Sequence, residues 1–293
     1  MNKVWFVTGI SSGFGKAFAE QIVKNGDILV GTMRNPAQIA EFNARYSGKA
    51  KAVKVDVTNE AEVKAAIDAA VAEHGRIDVL VNNAGYGVLG AVEELSPDEI
   101  RAQFETNVMG VIHATQAVLP HMRKVKSGSI VQMSSVVGIS SGPGLGAYSA
   151  SKFAVEGFSE TLASEVNPLG IKVMIVEPGP FRTNFSNRSV VRRAARRITD
   201  YAATAHERIE RVIGLDGKQE GDPVKAVQLI MKALDSKNPP LRLALGRTAI
   251  DRIRQKIAEI ARDITAWEKP SLDTVRNDVN GSATIEADHP HAG

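Results

Sequence analysis

The chain contains no cysteine. Disulfides, thiol nucleophiles and thiolate metal sites are therefore excluded, and the composition fits a reducing compartment, so a cytoplasmic location is expected. No uncharged apolar run approaches the roughly 18 residues that a membrane helix needs. Met1-Asn2-Lys3 leads directly into an apolar segment, without the pattern of a signal peptide. An excess of one charge is also missing. Thirty-six Lys and Arg against 33 Asp and Glu leave a net +3, too little to argue for nucleic acid. The six histidines are scattered, none at zinc-ligand spacing, and His289 and His291 fall in a polar C-terminal stretch; no metal site is expected. What remains is ordinary: 293 residues, 43% apolar and 24% charged, ample for a full core.

Strand-like and helix-like segments alternate. Val4–Thr8, Ile28–Met33, Ala52–Val57, Ile77–Val81, Ser129–Met133 and Lys172–Glu177 read as continuous Val/Ile-rich runs, the pattern of strands buried on both faces. Between them Gly15–Asn25, Pro36–Tyr46 and Asn59–Glu73 carry apolar residues at helical spacing. Ser96-Pro97-Asp98-Glu99 has the cap, the first-turn proline and the acids of a helix start, and the helix is predicted to run to about Arg123. The fold class is α/β: a Rossmann-type doubly wound parallel sheet with helices on both faces. After Pro178-Gly179-Pro180 the pattern changes. Residues 181–220 show no strand, and Val190, Ala194, Ile198, Tyr201, Ala205, Ile209 and Val212 form a helical stripe. A helix from Asp222 to about Leu234, a last strand at Leu241–Leu245 and an amphipathic helix through Ile250, Ile253, Ile257, Ile260, Ile264 and Trp267 make a C-terminal extension. Residues 1–269 are expected to form a single catalytic domain, and 270–293 a loose polar tail.

Tyr148 and Lys152 are four apart, so a helix places both on one face. The strand ending at Met133 delivers Ser135 just ahead of a Gly/Ser-rich loop that leads to that helix. A hydroxyl, a phenol and an ammonium thus meet at the carboxyl end of a strand, where open α/β sheets bind ligands. Ser134 is adjacent, but the spacing to Tyr148 favours Ser135. Thr8-Gly9-Ile10-Ser11-Ser12-Gly13-Phe14-Gly15 joins the first strand to the first helix. Its glycines permit a tight turn and a close approach of backbone to a pyrophosphate, with helix N–H groups aimed at the anion.

G-x-x-x-G-x-G after the first strand, Asn82-Asn83-Ala84-Gly85 after the fourth, Asn107, Ser135, Tyr148-x-x-x-Lys152 and Pro178-Gly179 together resemble the short-chain dehydrogenases/reductases. The resemblance covers residues 3–183. The glycine turn, the Met33-Arg34-Asn35 strand end and the added C-terminal helices look most like the 17β-hydroxysteroid and retinol dehydrogenase-like branch. It implies an enzyme that interconverts a ketone or aldehyde and an alcohol by hydride transfer, with Tyr148 as general acid/base. Lys152 would lower the tyrosine pKa and hold the nicotinamide ribose, Ser135 would bond the substrate oxygen, and Asn107 would support a water-linked proton relay. The physics agrees with the first role. An ammonium about 4 Å from the phenol at an effective dielectric near 20 is worth up to ~4 kcal/mol, which lowers a phenol of pKa ~10 by about 3 pH units. By the same resemblance Gly9, Ser11, Ser12, Gly13, Phe14 and Gly15 cradle the diphosphate. Asp56 and Val57 contact the adenine; Asn83, Ala84 and Gly85 lie on the ribose side; Pro178, Gly179 and Thr183 lie near the carboxamide or diphosphate. Asp56 is equally suited to being a turn residue before Thr58-Asn59.

An NAD-preferring site has Asp or Glu at the end of the second strand for the ribose hydroxyls. Here Met33 stands in that place and Arg34 follows. An arginine binds a 2′-phosphate and stacks on adenine, so NADP(H) is expected over NAD(H); the other reading of Arg34 is a solvated loop residue. In residues 181–220, where the resemblance implies a substrate lid, Arg182, Arg188, Arg192, Arg193, Arg196 and Arg197 occur with no acid before Asp200, which suits either an acidic substrate or a solvated face. The rival activities are 3-oxoacyl-thioester reduction and a non-catalytic NADP-binding sensor. The partner is a small carbonyl or alcohol substrate. Helices 97–123 and 148–166, which pair across a two-fold axis in the family, point to a homodimer or homotetramer.

Overall fold

The computed structural model describes residues 2–186 and 191–276. Seven parallel strands form one sheet: β1 (Val4–Val7), β2 (Ile28–Met33), β3 (Ala50–Lys54), β4 (Val79–Asn82), β6 (Gly128–Met133), β7 (Ile171–Pro178) and β9 (Arg242–Leu245), in the spatial order β3-β2-β1-β4-β6-β7-β9. The order runs one way from β1 to β3 and the other way from β4, so the switch point lies between β1 and β4, where a ligand crevice is expected. The doubly wound sheet with helices on both faces is the fold read from the sequence. Only strand limits move, most for the third strand, which begins at Ala50 and ends at Lys54.

Successive residues of β1 show why the strands read as unbroken apolar runs. Trp5 and Val7 pack into one layer with Phe18 and Ile22 of α1 (Gly13–Lys24) and with Val227 and Ile230 of α8 (Pro223–Leu234). Val4 and Phe6 pack into the other with Ile67 of α3 (Glu60–His74), Val118 of α5 (Gly110–Val125) and Leu162 of α6 (Gly146–Val166). Each such side chain contributes about 1.5–3 kcal/mol. The predicted helix start at Ser96 is a capping box: Glu99 N–H donates to Ser96 Oγ (3.2 Å) and Ser96 N–H to Glu99 Oε2 (2.8 Å). It opens α4 (Pro97–Phe104), which continues through a π-helical segment, Glu105–Met109, into α5.

The lid departs from the sequence reading in two ways. A two-residue strand β8 (Arg192–Arg193) is present within 181–220, pairing in parallel with β5 (Val88–Leu89). The stripe from Ala194 to Ile198 is not helical; helix begins at Thr199 as a single 3-10 turn, passes through a π segment at Ala202–His206 and becomes α7 (Glu207–Gly214). The apolar positions of that stretch serve two partners, β5 in the first half and the sheet end in the second, so helical spacing alone misreads it. Val190 and Arg188 lie outside the described residues. The final helix α9 (Arg247–Leu272) extends through Pro270, two residues past the predicted start of the loose tail; of that tail, residues 277–293, with His289 and His291, lie outside the described residues. Ile257, Ile260, Ile264 and Trp267 are exposed along α9.

Candidate active site

The glycine turn is fixed by its neighbours. Gly9 has φ +72°, and a Cβ there would stand 3.0 Å from the Ala84 Cα; a Cβ on Gly15 would overlap the Gly9 carbonyl and lie 2.7 Å from Asn83 Nδ2. Only glycine lets the end of β4 pack this closely on the turn. The two segments are then locked together. Asn83 and Ala84 N–H donate to Thr8 Oγ1 (2.9 and 3.0 Å), and Asn83 Nδ2 donates to the Thr8 and Gly9 carbonyls (3.0 and 2.9 Å). Gly9 N–H donates to Thr32 Oγ1 (3.0 Å). Asn83 thus uses its amide as a brace for the turn. Ser12 precedes α1 without a side-chain cap, so the first N–H groups of this 12-residue helix face the cleft beside exposed Ser11 and Ser12. A close backbone cradle ending in uncapped helix N–H groups fits a dinucleotide pyrophosphate.

At the end of β2 Met33 is buried, while Arg34 is exposed at the cleft wall with no hydrogen-bond or ion-pair partner among the described residues. Asp56 lines the same wall. Its Oδ1 accepts from Thr58 N–H (3.0 Å) and Thr58 Oγ1 (2.9 Å), so it acts as a turn residue as well. Val57 and Gly85 also line the cleft, with Pro178, Gly179 and Thr183 across it, where a Cβ on Gly13 would meet Thr183.

The proposed chemical groups come together behind this cradle. Ser135 follows β6 with an extended backbone and accepts from Val137 N–H at Oγ (3.3 Å). The helix carrying Tyr148 begins two residues earlier than expected, at Gly146. Lys152, one turn on, is buried; its Nζ donates to the Met133 carbonyl (2.7 Å) and lies 5.9 Å from the centre of the Tyr148 ring. Asn107 sits in the π segment, fully buried. Its Nδ2 donates to Tyr86 O (2.8 Å) and Ser151 Oγ (3.0 Å), and its Oδ1 accepts from Tyr86 N–H (3.0 Å). Asn107 therefore ties α6 to the strand end that carries Gly85. π segments commonly occur at such positions.

Electrostatics correct the expected lowering of Tyr148. Burial pushes its phenol up to about 12, against the pull of a hydrogen bond from the Ser135 side chain. Burial pushes Lys152 down to about 8, and the nearby Glu156 carboxylate opposes that. The spacing predicts proximity, but the ammonium is directed to the Met133 carbonyl instead of the phenol, and the low-dielectric site disfavours both charged forms. Glu156, one turn on from Lys152, and Glu177 at the end of β7 are both buried. Arg242 of β9 bridges them, bonding Glu156, Glu177 Oε1 (2.6 Å) and Glu160 Oε1 (2.7 Å). Burial raises both carboxyls.

The lid supplies residues that carry no motif. Phe181 meets Phe14, and Phe185 meets Tyr148, each at 5.1 Å between ring centres; the Arg192 guanidinium stacks 4.0 Å over Tyr86. Most lid arginines have partners distant in sequence: Arg193 with Glu210 (2.7 Å), Arg196 with Glu93 (3.9 Å) and Arg182 with the Gln219 carbonyl (2.9 Å). Buried Glu94 ties the lid down, accepting from Ile198 N–H (2.7 Å), the His206 ring (2.6 Å) and Ala91 N–H (2.8 Å). Burial works to raise its carboxyl, but these bonds outweigh it and hold it below the usual range. One cleft of about 1030 Å³ joins the glycine turn, Arg34, Ser135, Tyr148, Lys152 and the lid, at the large end of small-molecule sites.

The short chain dehydrogenase family profile matches residues 3–193. An oxidoreductase of Botryotinia fuckeliana is 38% identical over 274 residues, 93% of this chain and 99% of that one. A 3-ketodihydrosphingosine reductase of Bacteroides thetaiotaomicron is 41% identical over 244 residues, 83% of this chain and 88% of that one. The crystal structure of a short-chain dehydrogenase from Streptomyces avermitilis superposes with a TM-score of 0.87 at 43% identity, covering 94% of this chain and 98% of that one. The chain belongs to the short-chain dehydrogenase family. Its fold and family make it an oxidoreductase of the carbonyl/alcohol type acting on a small molecule. Solved relatives include one holding NAD and another holding NADP. No helix among the described residues is long and apolar enough to cross a membrane. No group of three or more metal-ligating side chains occurs among them.

Proposed function

We propose that the protein is an NADP(H)-dependent carbonyl reductase or alcohol dehydrogenase, with residues 1–269 as one cytoplasmic catalytic unit and the lid closing over the substrate. The observation that carries this reading is the single cleft in which an uncapped helix N-terminus, an unpaired Arg34 and the Ser135–Tyr148–Lys152 group face one another. When bound, the dinucleotide supplies or accepts hydride at the carbonyl carbon. The chain's own groups do the rest. Ser135 Oγ donates to the substrate oxygen and orients it. Tyr148 holds its proton at neutral pH, because burial raises the phenol to about 12, and gives it to the developing alkoxide. Lys152, held by the Met133 carbonyl, would hold the nicotinamide ribose, and its charge, 5.9 Å from the Tyr148 ring centre, steadies the phenol as it ionises; Asn107 supports the proton relay by fixing the Tyr86–Gly85 end of the cleft. Gly9 to Gly15, Ala84 and Gly85 hold the diphosphate and ribose, and Arg34 takes the 2′-phosphate where a carboxylate at Met33 would repel it. The likeness to the 17β-hydroxysteroid and retinol dehydrogenase-like branch rests on the sequence pattern and names no substrate.

The protein is further proposed to be a homodimer or tetramer, supported by exposed Met109 before α5 and Phe153 on α6; sedimentation measures this. Tyr148→Phe tests the catalytic reading. A panel of ketones, aldehydes and 3-oxoacyl thioesters with NADPH and NADH should lose turnover by about 10²–10⁴-fold in the variant, while NADPH still binds. Unchanged turnover would remove Tyr148 from the chemistry, and no turnover of any carbonyl by the parent protein would favour a binding role.

A further inference from the structure

The substrate end of the cleft has a marked charge asymmetry. Arg192, Arg208, Arg211 and Arg252 all line it, and the one carboxylate among the described lining residues is Asp56, beside Arg34 at the adenine end. Arg192 is stacked on Tyr86 and Arg211 is paired with Glu207 (3.3 Å). The other two are not neutralised. Arg208 has no hydrogen-bond or ion-pair partner among the described residues, and its Nε is buried. Arg252 spends only Nη2, on the Ser140 carbonyl and hydroxyl and the Ser141 carbonyl. Its remaining N–H groups have no protein partner among the described residues. Both follow the wall beyond Ser135. Arg208 precedes Ile209, and Arg252 precedes Ile253; these isoleucines pack with Val136, Val137 and Leu145. Burial, and after it the positive charge of Arg208, push Arg252 below the usual arginine range.

A protein left to itself gains nothing from two guanidiniums without a carboxylate partner on one half-buried wall. We propose that Arg208 and Arg252 form the recognition site for an anionic oxygen group, carboxylate or phosphate, at the end of the substrate remote from its carbonyl. The proposal rests on the carbonyl reductase reading for the location of that carbonyl. It narrows the substrate from any ketone or aldehyde to one with an apolar middle, facing Val137, Leu145, Val191 and Val212, and an acidic terminus. The planar donor fork of arginine suits such a terminus, since two guanidiniums together present several N–H donors to one set of oxygens.

The test uses ligands that cannot react. Full-length protein saturated with NADP⁺, so that the pyrophosphate cradle is filled, is titrated calorimetrically with octanoate, octyl phosphate and octanol. Octanoate, octyl phosphate or both should bind about 10–100-fold more tightly than octanol. Binding by octanoate alone identifies a carboxylate, and by octyl phosphate alone a phosphate. Arg208→Met should abolish the preference. Because Arg208 has no protein partner and repels Arg252, the same substitution should leave the melting temperature without ligand unchanged or raise it. If the anions bind no better than octanol, or if Arg208→Met keeps the preference, the proposal is overturned. These outcomes do not depend on turnover, so a failure of the reductase reading shows separately, in the Tyr148→Phe assay.

Discussion

Lys152→Met should change the pH dependence of stability in a defined direction. Burial holds the Lys152 ammonium at about 8 in the folded protein, against about 10.4 in the unfolded chain. Below pH 8 both states carry the charge, and the folded state bears the cost of burying it. Between pH 8 and about 10.4 the folded protein releases this proton while the unfolded chain keeps it. Stability therefore rises with pH across that window, at up to about 1.4 kcal/mol per pH unit, or about 3 kcal/mol in all. Methionine has nothing to titrate. The variant is free of that cost but loses the bond to the Met133 carbonyl (2.7 Å), worth about 1 kcal/mol for the neutral amine, so near pH 7 the variant is the more stable by about 2 kcal/mol. By pH 10.4 only the loss remains. Urea denaturation of both proteins at steps from pH 7 to 10.4 measures this. The stability of the parent relative to the variant should climb by about 3 kcal/mol over the window. Parallel curves would show that Lys152 is not held below its usual range, and the account of a dry site around Tyr148 would fail with it.

Arg34→Ala should weaken NADPH binding by about 10–100-fold and leave NADH nearly untouched, read by quenching of protein fluorescence; equal losses for both would refute the 2′-phosphate assignment. Gly15→Ala places a methyl group on the Gly9 carbonyl. The turn must shift, so a loss of about 1–3 kcal/mol and of dinucleotide binding is expected in denaturation and binding titrations. Glu94→Ala removes the acceptor for two backbone N–H groups and the His206 ring. It should cost about 3–5 kcal/mol and speed proteolysis within 191–206 before the sheet is attacked.

The parts of the site visible in the sequence are those for which the backbone itself dictates residue type. Gly9 and Gly15 are required by the approach of Ala84 and Asn83, and the Val/Ile runs by burial on two faces. The i, i+4 spacing sets Tyr148 and Lys152 on one side of a helix. Lid structure was opaque because its partners are far away in the chain: Arg192 answers to Tyr86, Ile198 to Glu94, Arg193 to Glu210. A local acid count therefore suggested an unpaired basic face where much of the pairing exists. The sign of the Tyr148 shift escapes the sequence for a related reason. Spacing reports which groups are near, but the burial of both and the claim of the Met133 carbonyl on the ammonium come from β6, nineteen positions earlier. Arg208 and Arg252 belong to no motif, and only the folded wall brings them together.

The π segment at Glu105–Met109 makes the winding of the helix at that point a determinant in its own right. A π turn holds one residue more than the α turn it replaces, and each residue advances a helix by about 100°. The wider turn absorbs that residue and keeps α4 and α5 in phase; the same residues wound as ordinary α-helix would turn α4 by that angle against α5. Gln103 would then leave the Val88 N–H it now bonds at 2.8 Å, and Glu99 would release the lid at Ala195 (3.0 Å). Individual side chains such as Thr106, whose hydroxyl only reaches the Ala102 carbonyl at 3.4 Å, can change with little effect. Across these few residues the wide winding of the turn is held more tightly than the identity of most of them.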